Sequence, residues 1–229
     1  MIAITHLANA GFLITSPDGR ILIDPLFAHM PPAIAAQTRL AAIDLILITH
    51  AHCDHFDANG IAEICHHGAP MIAGPWAVTR RLQGKINSKR VIALEPPEGE
   101  KPPASMAMEI ALGRITAYRT YHSRGHNSYL VEMPHFRFFH DGDNENTRPL
   151  AASRLGRIDA LFISTWQGAG WVEFIEAVSP RRWFLMHLDA NELEQCRRGA
   201  YFEGLCDHVP LADRLTVLAP GEKAEMDEA

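Results

Sequence analysis

Apolar residues gather along the chain in short runs broken by clusters of Pro, Gly, Asp and Asn, the pattern of a protein built from many short strands with helices between them. Residues 10–15 and 21–24 read as two strands around Pro17-Asp18-Gly19, because an Asp-Gly pair tolerates the backbone of a tight hairpin. Residues 45–49 form an apolar run, which predicts a buried strand, and they empty into a loop dense in polar residues. Residues 59–67 carry Ile61, Ile64 and Cys65 at helical spacing and stop at Gly68-Ala69-Pro70. A short strand at 71–73, a helix at 76–82 and a strand at 90–94 follow. Residues 27–39 read as a surface loop with a short helix, and the proline-rich stretch 95–103 as a loop within one fold.

Beyond this point the period changes. Residues 106–112, 114–120, 128–133 and 136–140 predict an antiparallel meander, after which helical and strand patterns alternate over 147–155, 158–164, 171–178, 182–188, 192–198 and 215–219. The acidic tail from Glu222 reads as frayed. With no repeat and 229 residues, the expectation is a single layered α/β domain spanning residues 1–229.

Composition narrows the class. Hydrophobic residues at 47% and charged residues at 21% are close to globular averages and suggest neither a disordered chain nor a membrane protein. A balance of 21 basic to 27 acidic residues gives −6 with no long basic block, which disfavours an electrostatic nucleic-acid binder. The N-terminus does not read as a leader, and no run of about twenty apolar residues occurs, so the expectation is a cytoplasmic protein. Cys53, Cys65, Cys196 and Cys206 form no Cys-x-x-Cys pair and are expected as reduced thiols.

The chemistry is concentrated where residues 45–49 end. His50, His52, Asp54 and His55 offer imidazole and carboxylate ligands at a spacing that single histidines, 13 in this chain, do not produce by scatter. Cys53 reads as a spacer or a supporting thiol, and His66 and His67 as helix-terminal residues that complement the dipole. Further ligand types stand at later strand ends: His122, Asp143 and His187. Asp24, before Pro25, reads equally as a carboxylate aimed into a cleft or as a turn cap.

The ordered series His50, His52, Asp54, His55, His122, Asp143, His187 resembles the metallo-β-lactamase superfamily, whose signature is His-x-His-x-Asp-His, then a His, a Gly-Asp pair and a late His. More narrowly, residues 10–14 and 21–25, Gly142-Asp143 behind His140, and Leu185-Met186-His187 resemble the compact group related to L-ascorbate-6-phosphate lactonase. The resemblance implies a four-layer αββα sandwich and a binuclear metal-dependent hydrolase acting on a small molecule, with homo-oligomerisation left open. It implies His50, His52 and His122 on one ion, Asp54, His55 and His187 on the other, and Asp143 bridging, with His126 the alternate to His122 because the Gly-His-Thr-Pro-Gly-Ser element of glyoxalase II-type members is replaced by residues 125–129. Two divalent ions, zinc by default and manganese or iron as fitting substitutes, would share a hydroxide that attacks a carbonyl or phosphoryl centre. Asp54 is the catalytic candidate that orients the hydroxide and carries a proton, and Asp24 resembles a carboxylate that fixes a ligating imidazole; His140 reads equally as such a support or as a structural residue.

The bond cleaved is not selected by such a site: lactone, ester and phosphodiester all fit. Arg124 and Arg148 are candidates for reading an anionic group or plain surface residues, and Trp166 and Trp171 for lining a pocket or filling a core. A ribonuclease Z-like nuclease and a non-catalytic metal-binding protein are the competing readings. A flavodiiron-type reductase would need a glutamate where His52 stands.

Overall fold

The computed structural model describes residues 1–98, 103–164, 168–200 and 208–228. The chain divides into two compact units, residues 1–95 with 218–229, and residues 96–217. In the first unit the chain runs β1 (Ile2–Ala8), β2 (Gly11–Ser16), β3 (Gly19–Ile23), α1 (Pro32–Leu40), β4 (Leu45–Leu47), α2 (Ala58–His67), β5 (Met71–Gly74), α3 (Trp76–Leu82) and β6 (Val91–Ala93). β1, β2 and β3 pair antiparallel, whereas β3, β4, β5 and β6 are successive parallel neighbours. The carboxyl ends of those parallel strands therefore share one edge, the edge at which α/β sheets present ligand-binding loops. β3 delivers Asp24 there and β4 delivers residues 48–57.

Leu45, Ile46 and Leu47 are buried, as a central parallel strand requires, and Ile46 packs with Ile61 and Ile64 of α2 and with Val78 and Leu82 of α3. α2 begins directly after the histidine loop because Asp57 caps it, accepting from the backbone N–H groups of Asn59 (3.1 Å) and Gly60 (3.0 Å). Gly60 has no substitute there, since a Cβ would lie 2.2 Å from Phe27 Cδ2. α1 confirms the short helix expected within 27–39.

The second unit holds β7 (Ser105–Ile110), β8 (Gly113–Arg119), β9 (Asn127–Glu132), β10 (Arg137–His140), α4 (Ala152–Leu155), β11 (Ala160–Ile163), α5 (Trp171–Val178), β12 (Arg182–Leu185), α6 (Ala190–Arg197) and β13 (Leu215–Val217). β7 to β10 form the expected antiparallel meander and β10 to β13 are parallel. Leu161, Ile163, Trp183 and Leu185 of its sheet pack with Trp171, Phe174 and Ile175 of α5. Trp171 is thus a core residue, and Trp166 lies outside the described residues. Phe138, Phe162 and Phe184 form an aromatic row across adjacent strands, with centroids 6.0 and 5.0 Å apart.

The C-terminal residues return to the first unit. β14 (Lys223–Met226) pairs antiparallel with β1, so both sheets are seven-stranded among the described residues. The frayed tail expected from composition is corrected here: Lys223 and Glu225 are exposed while Ala224 and Met226 are buried, the alternation of an edge strand. Residues 99–102 of the proline-rich loop lie outside the described residues, and no helix among the described ones is long and apolar enough to cross a membrane.

Candidate metal centre

In the first unit, His50 and His55 are fully buried with ring centroids 4.2 Å apart, and exposed His52 stands edge-on to His50 at 4.5 Å. The loop turns tightly, with the N–H groups of His55 (3.2 Å) and Phe56 (3.0 Å) donating to the His52 carbonyl. Asp54 Oδ2 lies 3.8 Å from His55 Nε2.

Buried Asp24 organises this loop. Its Oδ1 accepts from the Thr49 backbone N–H (2.8 Å), and its Oδ2 accepts from the Thr49 hydroxyl (2.6 Å) and from His55 Nδ1 (2.9 Å). The hydroxyl has one proton and gives it to Asp24, so His50 Nδ1, 3.0 Å from Thr49 Oγ1, must be the donor in that contact. One carboxylate thereby holds protons on the Nδ1 atoms of both His50 and His55 and turns both Nε2 lone pairs outward. Asp24 has φ +41°, a left-handed conformation, and a Cβ on Gly11 would come within 2.6 Å of its carbonyl oxygen. Asp24 is therefore a buried support and not a cleft-facing group.

In the second unit, Asp143 Oδ2 sits 3.7 Å from His122 Nε2 and 3.5 Å from His187 Nε2. Gly142, at φ +59°, makes the turn that presents Asp143, and its N–H donates to His140 Nδ1 (3.2 Å). His187 is itself left-handed at φ +62°, a conformation that β12 and the following turn impose on a non-glycine residue. His122 Nδ1 is 2.8 Å from Glu145 Oε1, so Glu145 turns His122 Nε2 toward Asp143.

His126 has a different task. Its Nε2 accepts the Asp143 backbone N–H (3.0 Å), which leaves the ring proton on Nδ1, 2.8 Å from Thr120 Oγ1. Thr120 meets Ser128 Oγ (2.9 Å), and Ser128 donates to Asp141 Oδ1 (2.8 Å). Both units therefore orient histidines through a threonine hydroxyl backed by a buried aspartate. Burial pushes the Asp141 carboxyl up to about 7, against the opposing hydrogen bonds of Ser128 and Asn144. Asn144 ties the two second-unit loops together by accepting from Tyr121 N–H at 3.1 Å.

The separations of Asp54 from His55 and of Asp143 from His122 and His187, 3.5–3.8 Å, are too long for hydrogen bonds, which close at 2.7–3.2 Å. They suit neighbouring ligands of one ion: bonds of 2.0–2.1 Å at tetrahedral angles put ligand atoms roughly 3.3–3.4 Å apart. The donor set fits a divalent metal.

Arg124 is 91% exposed and faces Glu98 at 3.7 Å, and Arg148 lines a cavity of about 320 Å³ with Thr147, Glu173 and Phe174. Exposed Cys53 is a spacer in the loop. Thr49, Glu145 and Asn9, whose amide reaches the Asp54 carbonyl at 2.9 Å, were not signalled by the ligand pattern; only Thr49 could have been suspected, from its place beside His50.

Residues 19–191 match the family described as Beta-lactamase superfamily domain, a span that contains all seven ligand-type residues. The chain belongs to the beta-lactamase superfamily. Among relatives of this superfamily member, a UPF0173 metal-dependent hydrolase of Nitratidesulfovibrio vulgaris is 27% identical over 244 residues, covering 99% of this chain and 96% of its own. A UPF0173 metal-dependent hydrolase of Pyrococcus horikoshii is 26% identical over 197 residues, covering 82% and 84%. A possible metal-dependent hydrolase from Veillonella parvula has a similar structure, with TM-score 0.69 and 17% identity over 99% of this chain and 100% of that one. The superfamily's α/β fold, two mixed sheets flanked by helices, is the one expected from the sequence, and the chain is a metal-dependent hydrolase of that superfamily.

Proposed function

We propose that the protein is a binuclear hydrolase in which His50, His52 and His122 hold one dication, Asp54, His55 and His187 hold a second, and Asp143 serves both. The observation that carries this reading is Asp143 Oδ2 standing between two imidazole nitrogens at 3.5 and 3.7 Å, the place of a bridging carboxylate. Asp24 supports it from the other unit by exposing two Nε2 lone pairs at once. Bound dications, zinc first and manganese or iron as alternatives, would polarise a scissile carbonyl or phosphoryl group and bring the pKa of water down to about 7.

The chain's own residues do the rest. Asp54, partly exposed, is the acid-base candidate, placed to take a proton from water and return it to the leaving group. Asp24, Thr49, His126 and Glu145 keep the imidazoles and Asp143 in place, so that little reorganisation accompanies reaction. The substrate is a small lactone, ester or phosphodiester, and a cytoplasmic setting suits the unpaired thiols of Cys53, Cys65 and Cys196.

Metal analysis of purified protein together with a panel of lactones, esters and phosphodiesters tests the reading. The expected result is two ions per chain, hydrolysis of at least one panel member, and loss of both in His50→Ala and Asp54→Ala. Wild-type turnover in either variant would sink it. Metal retention without any hydrolysis would favour a non-catalytic protein, and release of nucleotides from a tRNA precursor would favour a nuclease.

A further inference from the structure

Asn9, in the turn between β1 and β2, is not a ligand in the scheme above, yet its side chain reaches the first unit's metal-facing atoms. Its Nδ2 lies 2.9 Å from the Asp54 carbonyl oxygen, which can only accept, so that atom is the amide nitrogen. The same nitrogen lies 3.4 Å from His55 Nε2. His55 gives its Nδ1 proton to Asp24, so the atom that Asn9 approaches carries the outward lone pair. The amide has two hydrogens, one directed to Asp54 and one toward the face where His55 would ligate.

The placement is held from behind. Asn9 adopts φ +54°, which Asn accepts more readily than other side chains. Its carbonyl is 3.0 Å from His6 Nε2 and the Leu218 carbonyl is 2.8 Å from His6 Nδ1; the neutral ring has one N–H for these two acceptors, so it bonds one and packs beside the other. The absent side chain of Gly11 lets the same turn lie against Asp24.

We propose that Asn9 is a substrate-facing hydrogen-bond donor, giving its second amide hydrogen to the carbonyl or phosphoryl oxygen that gathers negative charge. This rests on the hydrolase reading above. An ion on His55 Nε2 consumes the lone pair that Asn9 now faces. An amide nitrogen 3.4 Å from that atom puts its second hydrogen beside the place where an oxygen bound next to His55 would lie. A donor fixed before reaction stabilises developing charge without reorganising, and removing one such donor lowers kcat by about 10²–10³.

The test compares wild type with Asn9→Gly, which keeps the left-handed backbone, and Asn9→Asp, which keeps the shape but not the donor. Three quantities are read on the full chain: zinc affinity by chelator competition, inorganic phosphate binding to the zinc-loaded protein by calorimetry, and kcat on bis(p-nitrophenyl) phosphate and p-nitrophenyl acetate. Zinc affinity is expected to stay well inside the ~10–100-fold loss that follows removal of a ligand-orienting group. Phosphate affinity is expected to fall about tenfold, the value of one lost hydrogen bond. Parallel losses of zinc and phosphate would make Asn9 only a support for Asp54 and overturn the proposal. So would phosphate binding that is absent in wild type or unchanged in the variants. If neither nitrophenyl substrate nor any panel member is hydrolysed, the hydrolase reading fails while the zinc and phosphate titrations still judge Asn9.

Discussion

Replacing Asp24 by Asn tests the idea that one carboxylate sets two imidazoles. The substitution keeps the shape and tolerates the φ of +41°, so the backbone is left out of the comparison. Asp24 accepts at 2.6, 2.8 and 2.9 Å from two groups of Thr49 and from His55. An amide offers oxygen on one side only. If that oxygen takes the Oδ2 place, it still serves Thr49 and His55, but the NH₂ group confronts the Thr49 backbone N–H. If the amide turns over, His55 faces a donor and must move its proton to Nε2, which removes the outward lone pair. The first orientation conserves more contacts and should dominate. A buried donor left without a partner costs about 1–3 kcal/mol, and weakening charge-assisted bonds to neutral ones adds about 1 kcal/mol, so a loss of roughly 2–4 kcal/mol in the metal-free protein is expected. Zinc affinity should fall at the lower end of the ~10–100-fold range for such groups. Urea unfolding and chelator competition measure the two effects. Stability within about 0.5 kcal/mol of wild type, together with unchanged zinc affinity, would refute the reasoning.

Two further outcomes follow from the geometry. Glu145→Ala should weaken zinc binding by about tenfold, whereas Glu145→Gln, which retains an acceptor for His122 Nδ1, should recover most of that loss in the same competition assay. Alkylation at pH 8 followed by peptide mapping should label exposed Cys53 and spare Cys196, which is buried and whose thiol is pushed up to about 11 by burial. Labelling of Cys196 in folded protein at the rate of Cys53 would contradict the core packing.

The centre was more legible than its supports, for a physical reason. Candidate ligands are recognisable by type and place, and His50, His52, Asp54, His55, His122, Asp143 and His187 stand out as His and Asp after strands. Supports need only one hydrogen-bonding atom in reach, which Thr, Glu and Asn all supply, and Glu145 gains its meaning only when its loop comes within 2.8 Å of His122. His122 and His126 are histidines of one loop, and sequence favours His122 only through the resemblance; in the structure His126 faces Asp143 N–H and Thr120 with its two ring nitrogens, while His122 Nε2 faces the Asp143 carboxylate. Among the strands, the buried β4 is plain from its apolar run, whereas β1 and β14 leave little trace in the sequence. Both lie at the margin of their sheet, where Thr5, Lys223 and Glu225 dilute the hydrophobic signal.

The return of β14 to β1 bears on biosynthesis. Residues 96–217 form a compact unit spliced into another whose parts are separated by the whole of that insertion. A ribosome that has released His50 through His55 has therefore not yet made Leu218, whose carbonyl steadies His6, nor the strand that covers β1. For most of translation the nascent chain carries these candidate ligands on an unfinished sheet with a bare edge. Cellular metal loading should accordingly be a late event, and a chain shortened before residue 223 should emerge prone to aggregation.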